Sequence, residues 1–231
     1  MTLSPWVYRL VWLSACVLFP LMALMGYVII GLERDIIFAF FAFTVMAFGL
    51  AAGQALYFVP VNRGYAATWF VTTLIGFGLA LPVVIMMGFV VGFFYLLALG
   101  ALFNGLLAPF GLEGIAGQAL VIAAFLPLPA GVGAGGGLLL ALVQAMRNTK
   151  FGVEINFNRW LKRNAMAGAV GGASFMLLIF LLVGLEIGNV PGLWLALGLP
   201  LVVGLPLGLL TMSEVETMRG QLENPQEKTG D

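Results

Sequence analysis

Residues 64–112 read GYAATWFVTTLIGFGLALPVVIMMGFVVGFFYLLALGALFNGLLAPFGL, 49 residues between Arg63 and Glu113 without one ionisable side chain. About 20 apolar residues already span the hydrocarbon of a bilayer, so a stretch this long belongs inside a membrane or inside protein buried in one. Outward from it the pattern repeats. Charged residues cut the rest of the chain into uncharged runs at 10–32, 36–62, 114–146, 164–185 and 187–213, each long enough for a membrane helix. With 231 residues, 62% of them hydrophobic, and a mean hydropathy of +1.09, nearly the whole chain is expected in or at the lipid bilayer. The fold class this predicts is all-α: a polytopic integral membrane helical bundle, with no room for a second globular domain.

Helices are predicted near 8–31, 37–60, 66–90, 115–146, 160–186 and 191–212, giving six spans. The segment 91–110 is apolar enough for a seventh. A turn separating it from the preceding helix would fall where no side chain before Tyr95 is polar, and turns at headgroup depth normally expose polar atoms. It is therefore read as interfacial or re-entrant, broken around Asn104 and Pro109. Residues 1–212 form the predicted transmembrane domain. Residues 213–231 form a polar cytoplasmic tail, a short helical extension fading into disorder. The apolar part of the first run continues to Gly31 without a small-x-small cleavage site, so an uncleaved helix is expected there instead of a signal peptide.

Ten basic and ten acidic residues give zero formal net charge, and no basic patch is long enough for nucleic acid. Six spans put nine of the ten Lys and Arg on one side, among them Arg147, Lys150, Arg159, Lys162 and Arg163, which the positive-inside rule makes cytoplasmic together with both termini. Trp6, Trp12, Trp69 and Trp160 then lie near helix ends on that face, the aromatic-belt position.

An internal repeat runs through the helices. Gln54-Ala55-Leu56 closes the second and Gln144-Ala145-Met146 the fourth; a short loop with basic and Asn residues follows each. A tryptophan opens the next helix, 15 residues after Gln54 (Trp69) and 16 after Gln144 (Trp160). Glycines recur about two turns further on, at Gly76 and Gly78 and at Gly168, Gly171 and Gly172. Trp12 would open a first hairpin and the return near Gly204–Thr211 would close a third, without a glutamine; three parallel hairpins make six spans. Gly117-Gln118-Ala119-Leu120 shows similar residues recurring outside this context, so a chance alignment stays open. The hairpins resemble uncharacterised multi-pass membrane proteins of cyanobacteria and other bacteria, in which a glycine-rich helix ends in Gln-Trp before an arginine-containing loop and a Trp-led helix. The resemblance covers residues 49–78 and 135–172, with Ala55 and Ala145 where those proteins often carry Trp. It implies a bacterial inner or intracytoplasmic membrane and no known activity.

No histidine occurs, which removes histidine-ligated haem and metal sites and any Ser-His or Cys-His nucleophile. Asp35 sits among charged neighbours and Asp231 is terminal, so no aspartyl pair lies at membrane depth. The lone Cys16 cannot form an intramolecular disulfide. No cofactor and no metal are expected, and no catalytic set is visible. What remains is sparse: Gln54 and Gln144 at helix ends, Glu186 and Glu113 toward the outer face, and Thr72, Thr73, Ser174, Asn104 and Gln118 within apolar runs. The most unusual stretch is 127–137, where Pro127 and Pro129 precede five glycines in seven residues. It is expected to break or kink the fourth helix, with Gly133, Gly135, Gly136 and Gly137 facing a neighbouring helix or a ligand. The first function this supports is a small subunit or assembly partner of a larger membrane complex, meeting a membrane-protein partner or its own copies. The alternative is a transporter, channel or substrate-binding membrane component with its site at the broken fourth helix.

Overall fold

A computed structural model describes residues 4–29, 36–102, 126–184 and 191–224. Six long helices account for most of them: α1 (Pro5–Ile29), α2 (Ile36–Phe58), α3 (Arg63–Leu102), α4 (Pro127–Asn148), α5 (Phe157–Gly184) and α6 (Pro191–Glu223), with a 3-10 turn at Thr149–Phe151. No strand occurs among the described residues. Four of the helices contain stretches long and apolar enough to cross a membrane, at Pro5–Gly26, Arg63–Val83, Pro127–Met146 and Pro200–Glu223. The chain is an all-helical membrane bundle.

Each helix packs on its neighbours in sequence, and α6 returns to pack on α1. The result is a closed ring of six helices running alternately up and down. Both ends of the described chain and the two loops at 59–62 and 149–156 gather at one end. Arg9 pairs with Glu216 there, the Arg219 guanidinium donates to the Tyr57 carbonyl at 3.1 Å, and Glu154 and Gln221 exchange hydrogen bonds of 2.7 and 3.0 Å. Asparagines start two of the helices. The Asn62 Oδ1 accepts from the Tyr65 amide at 2.9 Å and the Asn156 Oδ1 from the Arg159 amide at 3.0 Å, each satisfying an amide that a helix N-terminus otherwise leaves open. Gly152, with φ of 65°, reverses the chain between α4 and α5 in the left-handed region that glycine tolerates best.

The structure differs from or refines the sequence reading at four points. First, α3 runs unbroken through 91–102, where a separate interfacial segment is expected. Its 40 residues make about 60 Å at 1.5 Å per residue. The same lack of polar turn residues that argues against a seventh span leaves nothing to end the helix, and Pro82 inside it is tolerated as prolines are in membrane helices. Asn104 and Pro109 lie outside the described residues. Second, Pro127 and Pro129 begin α4 and do not break it. Proline fits the first turn, where an amide has no intrahelical partner, and the helix is continuous through Gly131–Gly137. Third, the helical extension expected after Ser213 is packed and not merely polar: α6 continues to Glu223 with Val215 and Met218 fully buried. Residues 225–231 lie outside the described residues. Fourth, Trp12, Trp69 and Trp160 are not in a belt. They are 1–2% exposed, inside the ring, whereas Trp6 is 68% exposed.

Candidate functional site

The buried tryptophans form the closed end of the ring. Trp12 and Trp69 stand edge to face at 6.3 Å between centroids and Trp69 and Trp160 at 6.0 Å, with Tyr57, Phe58 and Tyr65 packed around them. A buried indole N–H needs an acceptor, and each finds one on the return helix of the preceding hairpin. Trp69 Nε1 donates to Gln54 Oε1 on α2 at 3.0 Å, Trp160 Nε1 to the Ala141 carbonyl on α4 at 3.2 Å, and Trp12 Nε1 to Thr211 Oγ1 on α6 at 3.3 Å. The three hairpins α1–α2, α3–α4 and α5–α6 thus repeat one contact around the ring, with Thr211 standing where the third copy lacks its glutamine. Gln54 also donates to Cys16 Sγ at 3.5 Å. Gln144, the counterpart of Gln54, works differently: its Nε2 donates to Thr73 Oγ1 at 3.0 Å, and its Oε1 has no partner among the described residues.

Above the aromatic floor, glycines bring helices into backbone contact. α4 and α5 run antiparallel with Pro129 opposite Gly172, Gly133 opposite Gly168 and Gly137 opposite Asn164; a β-carbon added at any of these four glycines would overlap the facing carbonyl. The register is a four-residue repeat on both helices, the small-xxx-small device by which membrane helices approach closely. Each glycine directs its Cα–H at a carbonyl, a geometry that contributes weakly but recurs in such interfaces. Gly204 makes the same approach to the Cys16 carbonyl, and Gly76 seats Leu140, whose Cδ1 lies 2.7 Å from the place a β-carbon would take. The other expected contacts differ. Gly135 has open space, with nothing within 4 Å of an added β-carbon, and Gly136 faces the ring axis.

On that axis lies a cavity of about 510 Å³. Its walls come from α2 to α6: Thr44 and Ala47, Phe77 and Gly78, Val132 and Gly136, Gly168 and Phe175, and Val203. From Leu140 to Leu128 along α4 it extends over 12 residue-to-residue steps, about 18 Å at the helical rise. Asn164 is at the floor, one turn from Trp160 and 1% exposed. Its Nδ2 donates to the Trp160 carbonyl at 3.0 Å, while its Oδ1 has no partner among the described residues. A buried acceptor without a donor costs about 1–3 kcal/mol. Such a group is unusual in a folded chain, where nearly all buried polar atoms are paired.

Of the candidates from the sequence, Gly133, Gly136 and Gly137 border the cavity; Gln54 lies beside the tryptophans at its base, and Gln144 bridges α4 to α3. Thr72 and Thr73 are buried, the former bonding its own helix at 2.9 Å. Glu186, Glu113 and Gln118 lie outside the described residues. The sequence reading missed Asn164. Its spacing from Gly168 and Gly172, matching that of Pro129, Gly133 and Gly137, was the available signal. No group of metal-ligating side chains occurs among the described residues. No protein family, curated protein or solved structure matches the chain.

Proposed function

We propose that the protein is a membrane-embedded binding component for a small, largely apolar molecule carrying a hydrogen-bond donor. The observation that carries this reading is an apolar cavity of about 510 Å³ on the ring axis, with Asn164 among its lining residues and the buried Oδ1 of that residue unpartnered among the described residues. Ligand sites are commonly 300–1,000 Å³, mostly apolar with a few placed polar groups. A hydroxyl or N–H on the ligand would satisfy Asn164, and an apolar body up to about 18 Å long would follow the walls. The positive-inside rule assigns the Asn164 end to the cytoplasmic side.

A subunit serving only as a packing partner has no use for this space. A leucine-sized side chain at 78, where nothing lies within 4 Å of an added β-carbon, would take up part of it and add buried apolar area, yet the position is glycine. The apolar walls support the binding reading.

The test is recovery of the ligand. Protein purified in mild detergent is denatured and the released small molecules are identified by mass spectrometry. Two variants are run alongside: Gly78→Leu, which projects into space with nothing within 4 Å of the new β-carbon, and Asn164→Ala. The expected result is one molecular species near one per chain, displaced by Gly78→Leu. In Asn164→Ala it should be retained about 5- to 10-fold less, the effect of one hydrogen bond. Recovery of bulk lipid alone, or equal retention by both variants, would overturn the proposal.

A further inference from the structure

A second cavity, independent of the axial one, opens on the outside of the ring where α1, α5 and α6 meet. Its volume is about 540 Å³ and its polar walls are Arg9, Arg159, Lys162, Arg163, Ser213 and Glu216. The cations are partly neutralised. Arg9 forms a two-pronged pair with Glu216 at 2.8 and 3.2 Å, and Glu214 holds Arg159 at 2.8 Å and Arg163 at 3.3 Å. Arg163 also donates to Ser213 Oγ. Four cations against two carboxylates leave a local charge of +2. Lys162 makes no ion pair among the described residues, and its side chain is exposed.

The remaining walls are Met166, Leu209, Leu210 and Met212. Met166 and Leu209 are 46% and 54% exposed, and Val170 and Leu205, one turn further into the bilayer on the same two helices, are 47% and 38% exposed. The cationic cluster is therefore continuous with an apolar track of α5 and α6 leading toward mid-membrane. A soluble anion would use only the first of these features. A phosphate-bearing amphiphile uses both, with its headgroup among the guanidinium and ammonium groups and its chains along the track. The geometry points to a site for an anionic phospholipid of the leaflet at the basic-loop end, held by Arg9, Arg159, Lys162 and Arg163. Basic pockets between membrane helices at headgroup depth favour such lipids, and Arg presents its fork bidentately to phosphate.

The experiment titrates phosphatidylglycerol into the detergent-purified full chain in mixed micelles, with phosphatidylcholine as the neutral control and inorganic phosphate as the soluble anion, and follows thermal stability. Lys162→Gln removes the unpaired cation; Lys150→Gln makes the same charge change in the 147–163 loop, outside the pocket. The expected outcome is stabilisation by phosphatidylglycerol over phosphatidylcholine, no comparable effect of phosphate, and about fivefold weaker apparent affinity in Lys162→Gln, matching roughly 1 kcal/mol per cation near a membrane surface. Lys150→Gln should bind as the unaltered chain does. Equal response to the two lipids, an equal effect of phosphate, or equal weakening by both substitutions would each overturn the assignment.

Discussion

Gly133 and Gly135 are two residues apart on one helix, and their surroundings invert the consequence of the same substitution. A methyl group at Gly133 meets the Gly168 backbone, which cannot step aside as a flexible side chain could. Overpacking of this kind typically costs about 1–3 kcal/mol. At Gly135 the methyl meets nothing within 4 Å, and alanine is favoured over glycine inside a helix by up to about 1 kcal/mol. Unfolding measured in mixed micelles should therefore show Gly133→Ala destabilised and Gly135→Ala unchanged or stabilised; equal losses at both would mean that the α4–α5 contact is not as described. The sequence reading has all four glycines facing a neighbouring helix or a ligand, and only the facing register separates them. That register is set jointly by α4 and α5, so it is invisible in either segment alone. Gln54 and Gln144 make the same point: each is followed by alanine and a large apolar residue, yet they differ because Trp69 lies within reach of the one as a donor, while Trp160 bonds the Ala141 carbonyl instead of the other.

At the scale of elements, the spans were legible because removing charge from long runs is a strong one-dimensional signal. The ends were less so. Polarity after Ser213 predicts a short helical extension fading into disorder, and the same polar residues suit a helix packed on one face and wet on the other. Here Val215 and Met218 are buried, Glu214 is 7% exposed and paired with Arg159 and Arg163, and Arg219 lies over the Tyr8 ring at 4.1 Å and the Tyr57 ring at 4.9 Å. Burying a side chain such as Val or Met contributes about 1.5–3 kcal/mol. A stop codon after Ser213 should thus lower unfolding stability by about 3–6 kcal/mol and open the 149–156 loop to protease. A truncated chain as stable as the full one would show that this extension is a tail after all. Tryptophan placement failed for a related reason. A helix-end position fits an interfacial belt and a sealed bundle end equally well, and the choice depends on acceptors such as Thr211 that lie far away in sequence.

At the scale of the whole molecule, the described residues form a ring of three hairpins whose repeated element is the tryptophan N–H handed to the preceding return helix. The Gln-to-Trp spacing made two copies readable; the third is carried by Trp12 and Thr211, too far apart in sequence and too different in chemistry to align. The axial cavity was beyond reach of the sequence, since space is defined by the side chains that do not meet. Its key residue, Asn164, borders the basic loop and reads there as ordinary surface polarity. The most direct measurement of the central claim is an experimental density map of the purified chain in lipid nanodiscs. Elongated non-protein density is expected on the ring axis, ending within about 3 Å of the Asn164 side chain, a hydrogen-bond distance. An axis filled by the protein's own side chains, or a cavity holding nothing that reaches Asn164, would contradict it.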